Sequence, residues 1–272
     1  MERLEAALEK ARKTRDSGRP PVQIASGKKA PDKSLADKWA NLKEIKITTR
    51  TARKNRISTL TKGKNSGAYD LLRSRTLRLM RENDWSTLAI TSPNKICGKT
   101  TICANLALSL ARQPDLRIVV LDFDMHRPTL HSILGYRPQI SFHEVIRNDH
   151  PMDDFLVRVG DNVAFGLNNR PASAPSELLQ SNLTRTVLER IKTDYQPDLM
   201  IFDMPPMLLS DDHVGFLPFV DCGLLVGAAD STTISQLDNC EKELAELTNV
   251  LGIVLNKCRY PDQDTGYGYD YY

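Results

Sequence analysis

The chain has 272 residues, of which 37 are Lys or Arg and 34 are Asp or Glu, so its formal net charge is +3. This length suits one sizeable α/β domain with a tail and leaves little room for two full domains. No stretch reaches the roughly 18–20 consecutive apolar residues of a membrane-spanning helix, and the charged amino terminus lacks the apolar core of a signal peptide, so we expect a cytosolic protein.

The amino-terminal region holds the basic character of the chain. Residues 1–64 contain 18 Lys/Arg against 7 Asp/Glu, or +11, whereas residues 65–272 contain 19 against 27, or −8. A stripe of Leu and Ala over residues 1–15 predicts a short amphipathic helix. Residues 16–64 show no sustained apolar period and predict a mostly extended linker, with the globular part starting near Ser66. Such a basic region attracts anionic lipid, nucleic acid or an acidic partner alike, or is simply solvated.

Helical and strand patterns alternate over the rest of the chain. The predicted helices cover residues 69–81, 100–113, 177–193 and 234–247. The predicted strands cover residues 86–91, 117–122, 199–203, 223–228 and 252–256. These strands are short continuous apolar runs, as expected where helices cover both faces of a sheet. The pattern therefore predicts an α/β fold with a doubly wound, mainly parallel sheet.

Four tyrosines lie among Gly and Asp in residues 264–272, namely Tyr267, Tyr269, Tyr271 and Tyr272. With no aliphatic residue there to build a core, we expect an exposed, flexible tail. The five cysteines are odd in number, widely spaced and without a C-x-x-C pair, so we expect neither a disulfide frame nor a zinc site.

A candidate phosphate-binding loop follows the strand predicted over residues 86–91 and opens directly into a helix. Such a loop points backbone N–H groups at phosphate, while Lys99 adds a cation and Thr100 can hold Mg²⁺. Pro93 stands where the standard pattern has its first Gly. The nucleotide contacts are assigned to Asn94, Lys95, Ile96, Cys97, Gly98, Lys99, Thr100 and Thr101.

Three aspartates follow two later strands. Asp122 and Asp124 end the run IVVLDFD, and Asp203 ends LMIFD. The carboxyl ends of parallel strands are where open α/β sheets bind ligands, and MgATP needs carboxylates for its metal. Asp203 is the candidate for Mg²⁺, whereas Asp122 and Asp124 coordinate metal, accept a proton from an attacking hydroxyl, or only cap the following turn.

The order of these motifs resembles that of the bacterial tyrosine kinases, the autokinases of capsule and exopolysaccharide synthesis. The matching stretches are TSPNKICGKTT, VVLDFDMHRPTLHSILG, SELLQSN, LMIFDMPPMLLSDD and GIVLNK. The resemblance covers about residues 66–272 and implies a MinD-like P-loop fold in a free-standing cytoplasmic member. It divides the chain into a basic helix and linker (1–64), a kinase domain (65–260) and a tyrosine-cluster tail (261–272).

The resemblance also implies the cofactors ATP and Mg²⁺ and functions for particular residues. The catalytic residues would be Lys99, Asp122, Asp124 and Asp203, the Mg²⁺ ligands Thr100, Asp122 and Asp203, the residue near the adenine Asn256, and the phosphoacceptors Tyr267, Tyr269, Tyr271 and Tyr272. Phosphorylation would occur in trans between neighbouring copies. The implied partners are a ring of identical subunits and a membrane-embedded polysaccharide co-polymerase, which place the chain peripherally at the inner face of the cytoplasmic membrane.

Two other classes of function remain open at this stage. A partition- or division-type ATPase switch usually has a signature lysine at the position of Asn94, and here Lys95 is one residue out of register. A nucleotide-gated scaffold with weak catalysis would account for a phosphate loop poor in glycine. Nucleic acid is not an expected partner. Cys97, beside Lys99 and a helix amino terminus, is either a reactive thiol or a passive small residue.

Overall fold

An eight-stranded sheet forms the centre of the part of the chain that the structure describes. The computed structural model describes residues 33–61, 66–147 and 150–258. The helix predicted over residues 1–15 and the tail predicted over residues 261–272 lie outside the described residues. The compact unit that contains the sheet begins at Lys33.

The sheet is parallel except at one pair of strands. Its strands lie in the order β1-β4-β5-β3-β6-β2-β7-β8, and every neighbouring pair is parallel except β4 and β5. The predicted mainly parallel sheet is therefore confirmed. The strands are β1 (Lys43–Glu44), β2 (Thr87–Thr91), β3 (Ile118–Asp122), β4 (Leu156–Val159), β5 (Val163–Gly166), β6 (Leu199–Asp203), β7 (Cys222–Ala228) and β8 (Asn249–Asn256).

Helices connect the strands and cover the sheet. In chain order they are α1 (Lys33–Asn41), α2 (Thr49–Lys54), α3 (Ser58–Thr61), α4 (Ser66–Glu82), α5 (Lys99–Leu110), α6 (Leu130–Leu134), α7 (Phe142–Ile146), α8 (Met152–Phe155), α9 (Pro175–Gln180), α10 (Asn182–Tyr195), α11 (Asp212–Phe216) and α12 (Ile234–Leu247). One turn of 3₁₀ helix, Leu217–Phe219, follows α11. Among the described residues, none of these helices combines the length and apolar character needed to cross a bilayer.

Two hydrophobic clusters cover the two faces of the sheet. Alternate residues of each central strand enter different clusters: Val119 of β3 lies in one with Phe202 of β6, whereas Val120 lies in the other with Ile201. Every residue of β2, β3 and β6 is buried. This burial on both faces explains why these strands are continuous apolar runs rather than alternating ones.

Most predicted elements recur within a few residues of their expected bounds, and α12 and β6 match theirs. The single helix predicted over residues 177–193 is instead two helices, α9 and α10. Ser181 separates them because its side chain accepts a hydrogen bond from Thr184 N at 3.1 Å and so caps α10. The short strands β1, β4 and β5 were not predicted. Strand β4 pairs antiparallel with β5 and parallel with β1, which lies in a segment expected to be unstructured.

The linker prediction for residues 16–64 is wrong for residues 33–61. This segment forms α1, β1, α2 and α3, and Leu35, Trp39, Leu42 and Ile57 are buried in the core of the folded unit. Trp39 also donates a hydrogen bond from Nε1 to Tyr195 O at 2.8 Å, and the two rings meet edge to face. These apolar residues show no period in the sequence, because Leu35 and Trp39 lie in the short helix α1 whereas Leu42 and Ile57 lie between elements.

Removing the Trp39 side chain tests whether residues 33–61 belong to the folded unit. Trp39→Ala should lower the free energy of unfolding by about 3–5 kcal/mol, as expected for a large buried aromatic residue. The control is Lys38→Ala, whose exposed ion pair with Asp194 should contribute under about 1 kcal/mol. Denaturant unfolding measures both variants. Equal small losses in the two would show that the segment is an appendage.

Candidate nucleotide site

Three loops converge at the carboxyl ends of neighbouring strands. In the sheet β6 lies between β3 and β2, so the loop after β2 lies beside the ends of β6 and β3. Asp122 at the end of β3 pairs in register with Asp203 at the end of β6. The register of the sheet, rather than any contact along the chain, brings these predicted site residues together with the loop that precedes α5.

The phosphate loop is built around Gly98. This residue precedes α5 with a φ of +93°, and a Cβ there would lie 2.2 Å from Asn256 Nδ2. Asn256, at the end of β8, donates from Nδ2 to Cys97 O at 2.8 Å. A glycine is required here for both its conformation and the close approach of Asn256. The structure therefore places Asn256 against the phosphate loop, while its contact with adenine stays a prediction.

Lys99 forms the centre of the site. Its ammonium lies 2.8 Å from Asp124 Oδ2 and 3.5 Å from Asp203 Oδ1. The side chain is buried, and burial alone would lower the pKa of Lys99, but attraction to Asp203, Asp124 and Asp122 outweighs this and raises that pKa. Lys99 is therefore a fixed cation, and phosphate oxygens entering the loop would compete with the carboxylates for it.

The carboxylates of Asp122 and Asp203 fit a divalent cation. Asp122 Oδ1 and both oxygens of Asp203 are buried and accept no hydrogen bond within the described residues. Burial raises the pKa of Asp122, repulsion from Asp203 raises it further, and Lys99 opposes both effects. Burial likewise raises the pKa of Asp203 against the attraction of Lys99. A metal ion stabilises buried carboxylate oxygens of this kind, and Lys99, 3.5 Å from Asp203 Oδ1, offsets only part of their charge.

Thr100, the third predicted Mg²⁺ ligand, lies in the first turn of α5. Its hydroxyl lies 3.4 Å from Lys99 Nζ and accepts from Thr129 Oγ1 at 3.4 Å. In the part of the chain that is described, no group of three His, Cys, Asp or Glu side chains forms a metal site. Phosphate oxygens and water would therefore have to supply the remaining ligands, which is the usual mode of Mg²⁺ binding with nucleotides.

Both aspartates that follow β3 also cap local backbone. Asp122 Oδ2 accepts a hydrogen bond at 3.1 Å from the backbone N–H of Leu130, which is the first residue of α6. Asp124 Oδ1 accepts from Arg127 N at 3.0 Å while its other oxygen binds Lys99. The capping alternative and the site alternative are thus not exclusive. In each carboxylate one oxygen accepts a backbone hydrogen bond, and the other oxygen lies on the side of the site.

The other loop residues have different surroundings. Lys95 and Ile96 are exposed, and Asn94 is half-buried. Cys97 is buried with its thiol 3.5 Å from Thr232 Oγ1, so its side chain packs inward. Of the two interpretations of Cys97, this packing favours the passive small residue.

Two residues that the motifs did not reveal support the site. Asn168 follows β5, is buried, and donates from Nδ2 to Asp122 O at 2.7 Å, which holds the end of β3. Thr129 precedes α6 and contacts Thr100. The signal for Asn168 was the polar Asn-Asn pair directly after the apolar run VAFGL, which was not recognised as a strand.

The exposed carboxyl-terminal part of the loop contains backbone strain at Ile96. Its φ is +66°, a left-handed conformation that a β-branched residue rarely adopts, and 79 % of its surface is exposed. Ile96→Gly should raise the free energy of unfolding by about 0.5–1 kcal/mol, because relief of the strain outweighs the extra freedom of glycine in the unfolded chain. Thermal unfolding measures the change.

Lys95→Gly is the matched control for this variant, since Lys95 is exposed in the same loop and is not among the residues with positive φ. It should lose stability, because glycine there gains only unfolded-state entropy. A loss at both positions would show that Ile96 is not strained.

Asp122→Asn tests the electrostatic cost of the site. Because its pKa is raised in the folded state, Asp122 stabilises the fold at low pH, and that contribution is lost as pH rises through the raised pKa. The variant keeps the acceptor for Leu130 N and removes a charge from a crowded cluster. Ligand-free protein at neutral pH should gain about 1–2 kcal/mol of stability, vary less with pH, and bind MgATP more weakly.

Asp221→Asn is the control of opposite sign. Burial raises the pKa of Asp221, but hydrogen bonds from Ser86 and Thr87 outweigh it and hold that pKa below its ordinary value. This variant should lose stability at neutral pH, because it loses charge-assisted hydrogen bonds. Unfolding followed across pH measures both variants, and a loss in Asp122→Asn as well would contradict the proposed strain between carboxylates.

Comparison with known proteins places this site in a family. The model of the CobQ/CobB/MinD/ParA nucleotide binding domain matches residues 88–267. The putative tyrosine-protein kinase CapB of Staphylococcus aureus is 28 % identical over 203 residues, covering 74 % of this chain and 87 % of CapB. The putative tyrosine-protein kinase AmsA of Erwinia amylovora is 28 % identical over 171 residues, or 62 % of this chain. The chain spans only 23 % of the length of AmsA.

Solved structures share the fold. The kinase domain of VpsO superposes with a TM-score of 0.64 at 23 % identity, covering 72 % of this chain and 96 % of that domain. MinD of Pyrococcus horikoshii, solved with Mg-ADP, superposes with a TM-score of 0.52 at 20 % identity, covering 66 % of this chain and 75 % of that protein. These relatives confirm the resemblance that the motif order indicated. The chain belongs to the CobQ/CobB/MinD/ParA family of nucleotide-binding domains, and within it resembles the bacterial tyrosine-protein kinases.

Proposed function

We propose that the protein is an ATP-dependent protein-tyrosine autokinase that regulates exopolysaccharide or capsule polymerisation and export. The observation that carries the proposal is the buried cluster of Lys99 with three aspartates beside a phosphate loop, in a chain whose relatives are named tyrosine-protein kinases. The phosphoacceptors proposed are Tyr267, Tyr269, Tyr271 and Tyr272.

The reaction proposed is in-line transfer of the γ-phosphoryl group of ATP to a tyrosine oxygen. The new P–O bond forms to tyrosine as the bond to the β-phosphate oxygen breaks, and ADP leaves. Lys99 and the loop N–H groups hold the phosphates, so that most of the rate comes from positioning and charge stabilisation. Mg²⁺, held by Thr100, Asp122 and Asp203, would neutralise charge on the phosphates.

Asp124 is the proposed acceptor of the tyrosine proton. It is 6 % exposed, against 1 % for Asp122 and 0 % for Asp203, so it is the most accessible of the three carboxylates. Its Oδ2 is bound only to Lys99, which the incoming phosphate would draw away. Asp122 and Asp203 are better suited to the metal, because their buried oxygens Asp122 Oδ1, Asp203 Oδ1 and Asp203 Oδ2 accept no hydrogen bond from the described residues.

Phosphorylation is proposed to occur in trans between copies in a ring. A tail with several tyrosines can present each of them in turn to one site on a neighbour. The proposed partner is a membrane-embedded polysaccharide co-polymerase, and the proposed location is the inner face of the cytoplasmic membrane. The names of relatives such as CapB support a connection with capsule synthesis, and a chimeric protein titled CapA2B2 shares the fold with a TM-score of 0.64.

The second candidate function is an ATPase switch of the partition or division type. The shared fold with MinD and the exposed Lys95 in the phosphate loop favour it. Lys95 follows Asn94, which occupies the position of the signature lysine, so the switch lacks its usual residue at that position. A scaffold that binds nucleotide with weak catalysis is the third candidate, supported by the strained Ile96.

Intact-mass spectrometry of purified protein with MgATP separates these candidates. The full chain should gain phosphate, and both Lys99→Ala and a chain ending at Pro261 should gain none. Lys242→Ala, an exposed lysine of α12, is the control and should be phosphorylated as the parent is. Phosphate on the Lys99→Ala protein would refute the assigned site. ATP hydrolysis without any phosphotyrosine, even with segments of membrane partners added, would favour the switch.

A further inference from the structure

Most of the net positive charge of residues 1–61 belongs to residues 33–61. Residues 1–32 contain 8 Lys/Arg and 5 Asp/Glu, or +3, whereas residues 33–61 contain 8 against 2, or +6. The second segment is packed into the domain, so its charges are held on a surface of defined shape.

Five of these charges form what we call the basic face: Lys46, Arg50, Arg53, Lys54 and Arg56. All five are exposed. Within the described residues, none of the five side chains has a hydrogen bond or ion pair, and the nearest acid along the chain, Glu44, is paired with Arg158 at 3.5 Å. Arg50 is three and four residues before Arg53 and Lys54 in α2, so these three lie on one side of that helix. Like charges on one side of a helix repel one another and are stabilised by an anionic partner.

All residues of the basic face except Lys46 belong to a segment that is hydrogen-bonded to both helices of the nucleotide site. We call residues 48–61 the strap. Asn55 donates from Nδ2 to Ser132 O and Ile133 O, both at 2.8 Å, and so holds the carboxyl end of α6. Asn105, buried in α5, donates to Arg56 O at 3.0 Å and accepts from Thr59. The strap therefore bridges the helix that follows the phosphate loop and the helix that follows the aspartates.

The far ends of these two helices carry the site. α6 begins at Leu130, whose N–H binds Asp122, and α5 begins at Lys99. With only five residues in α6, a constraint on its carboxyl end is transmitted within little more than one turn. Ordering of the strap by a bound partner would thus restrict Asp122 and the first turn of α5 together.

We propose that the basic face docks the protein on anionic phospholipid and that docking, through the strap, tightens nucleotide binding. The inference deepens the peripheral location proposed above and does not require kinase activity. Residues 43–61 contain no aromatic residue on which bases would stack, which argues against single-stranded nucleic acid. A short helix with all its Lys and Arg exposed suits a planar array of phosphates, as polybasic surfaces on lipid do.

Vesicle binding by the full chain tests the docking. Arg50→Gln/Arg53→Gln/Lys54→Gln removes three charges with a residue that favours helix. Each basic residue near the membrane should contribute about fivefold in affinity, so the affinity of the triple variant for phosphatidylglycerol vesicles should fall about 100-fold. High salt should abolish binding of the parent protein to these vesicles. Neutral phosphatidylcholine vesicles should bind neither protein.

The matched control removes the same charge elsewhere. Arg81→Gln/Arg147→Gln/Lys242→Gln changes three exposed basic residues on other elements and should bind vesicles as the parent does. An equal loss in both triple variants would show that net charge, not the basic face, drives binding. Tighter binding to single- or double-stranded DNA than to vesicles at equal phosphate concentration would overturn lipid as the occupant.

Nucleotide affinity measured with and without vesicles tests the coupling. Phosphatidylglycerol vesicles should tighten MgATP binding to the parent by about fivefold or more. Asn55→Ala should still bind vesicles, but its nucleotide affinity should no longer respond, because the strap is released from α6. A parent protein that binds vesicles with unchanged nucleotide affinity would overturn the coupling. Because neither readout involves phosphotyrosine, failure of the kinase proposal would be seen separately.

Discussion

The rest of the site depends on one buried cation among three carboxylates. Lys99 is held against Asp124 and Asp203 in a place where water is largely excluded, and Asp122 lies close enough to repel Asp203. Three buried carboxyl groups around a single ammonium group destabilise the fold by themselves, because the cation offsets only part of their negative charge. In the proposed function, a metal ion and a polyphosphate together offset this charge. The predicted instability of the ligand-free fold and the proposed binding of MgATP then have the same physical origin.

The parallel sheet solves the problem of holding these charges in place. Asp122 and Asp203 end neighbouring strands in register, so the paired backbone of β3 and β6 holds the two carboxylates beside each other. Two neighbouring groups then orient Asp122. Asn168 donates a hydrogen bond to its backbone carbonyl, and the N–H of Leu130 donates one to a side-chain oxygen. Most of these contacts connect residues distant in sequence, as is usual where side chains of a site are preorganised.

The phosphate loop combines a glycine that its geometry requires with residues that are unusual in such loops. Gly98 is compelled by the close approach of Asn256, whereas Ile96 occupies a left-handed position with a side chain poorly suited to it. Strain of this kind persists only where surrounding contacts hold it, and here Cys97 and Asn256 anchor the following residues. A loop that stores strain and a strap that bridges α5 and α6 together make nucleotide affinity open to regulation from the surface. In the inference drawn above, anionic phospholipid bound at the basic face is the signal for that regulation.

The sequence alone determined the class of fold, the phosphate loop and the three aspartates, because each is encoded locally. Buried parallel strands are continuous apolar runs, and loop chemistry follows from Gly98, Lys99 and Thr100 in one stretch. What only the tertiary structure decided are the contacts between distant segments. The packing of residues 33–61, the antiparallel strand β4, the support from Asn168 and the bridge made by Asn55 join short elements that carry no period of their own. Their stability comes from burial against the rest of the chain, which no local pattern records.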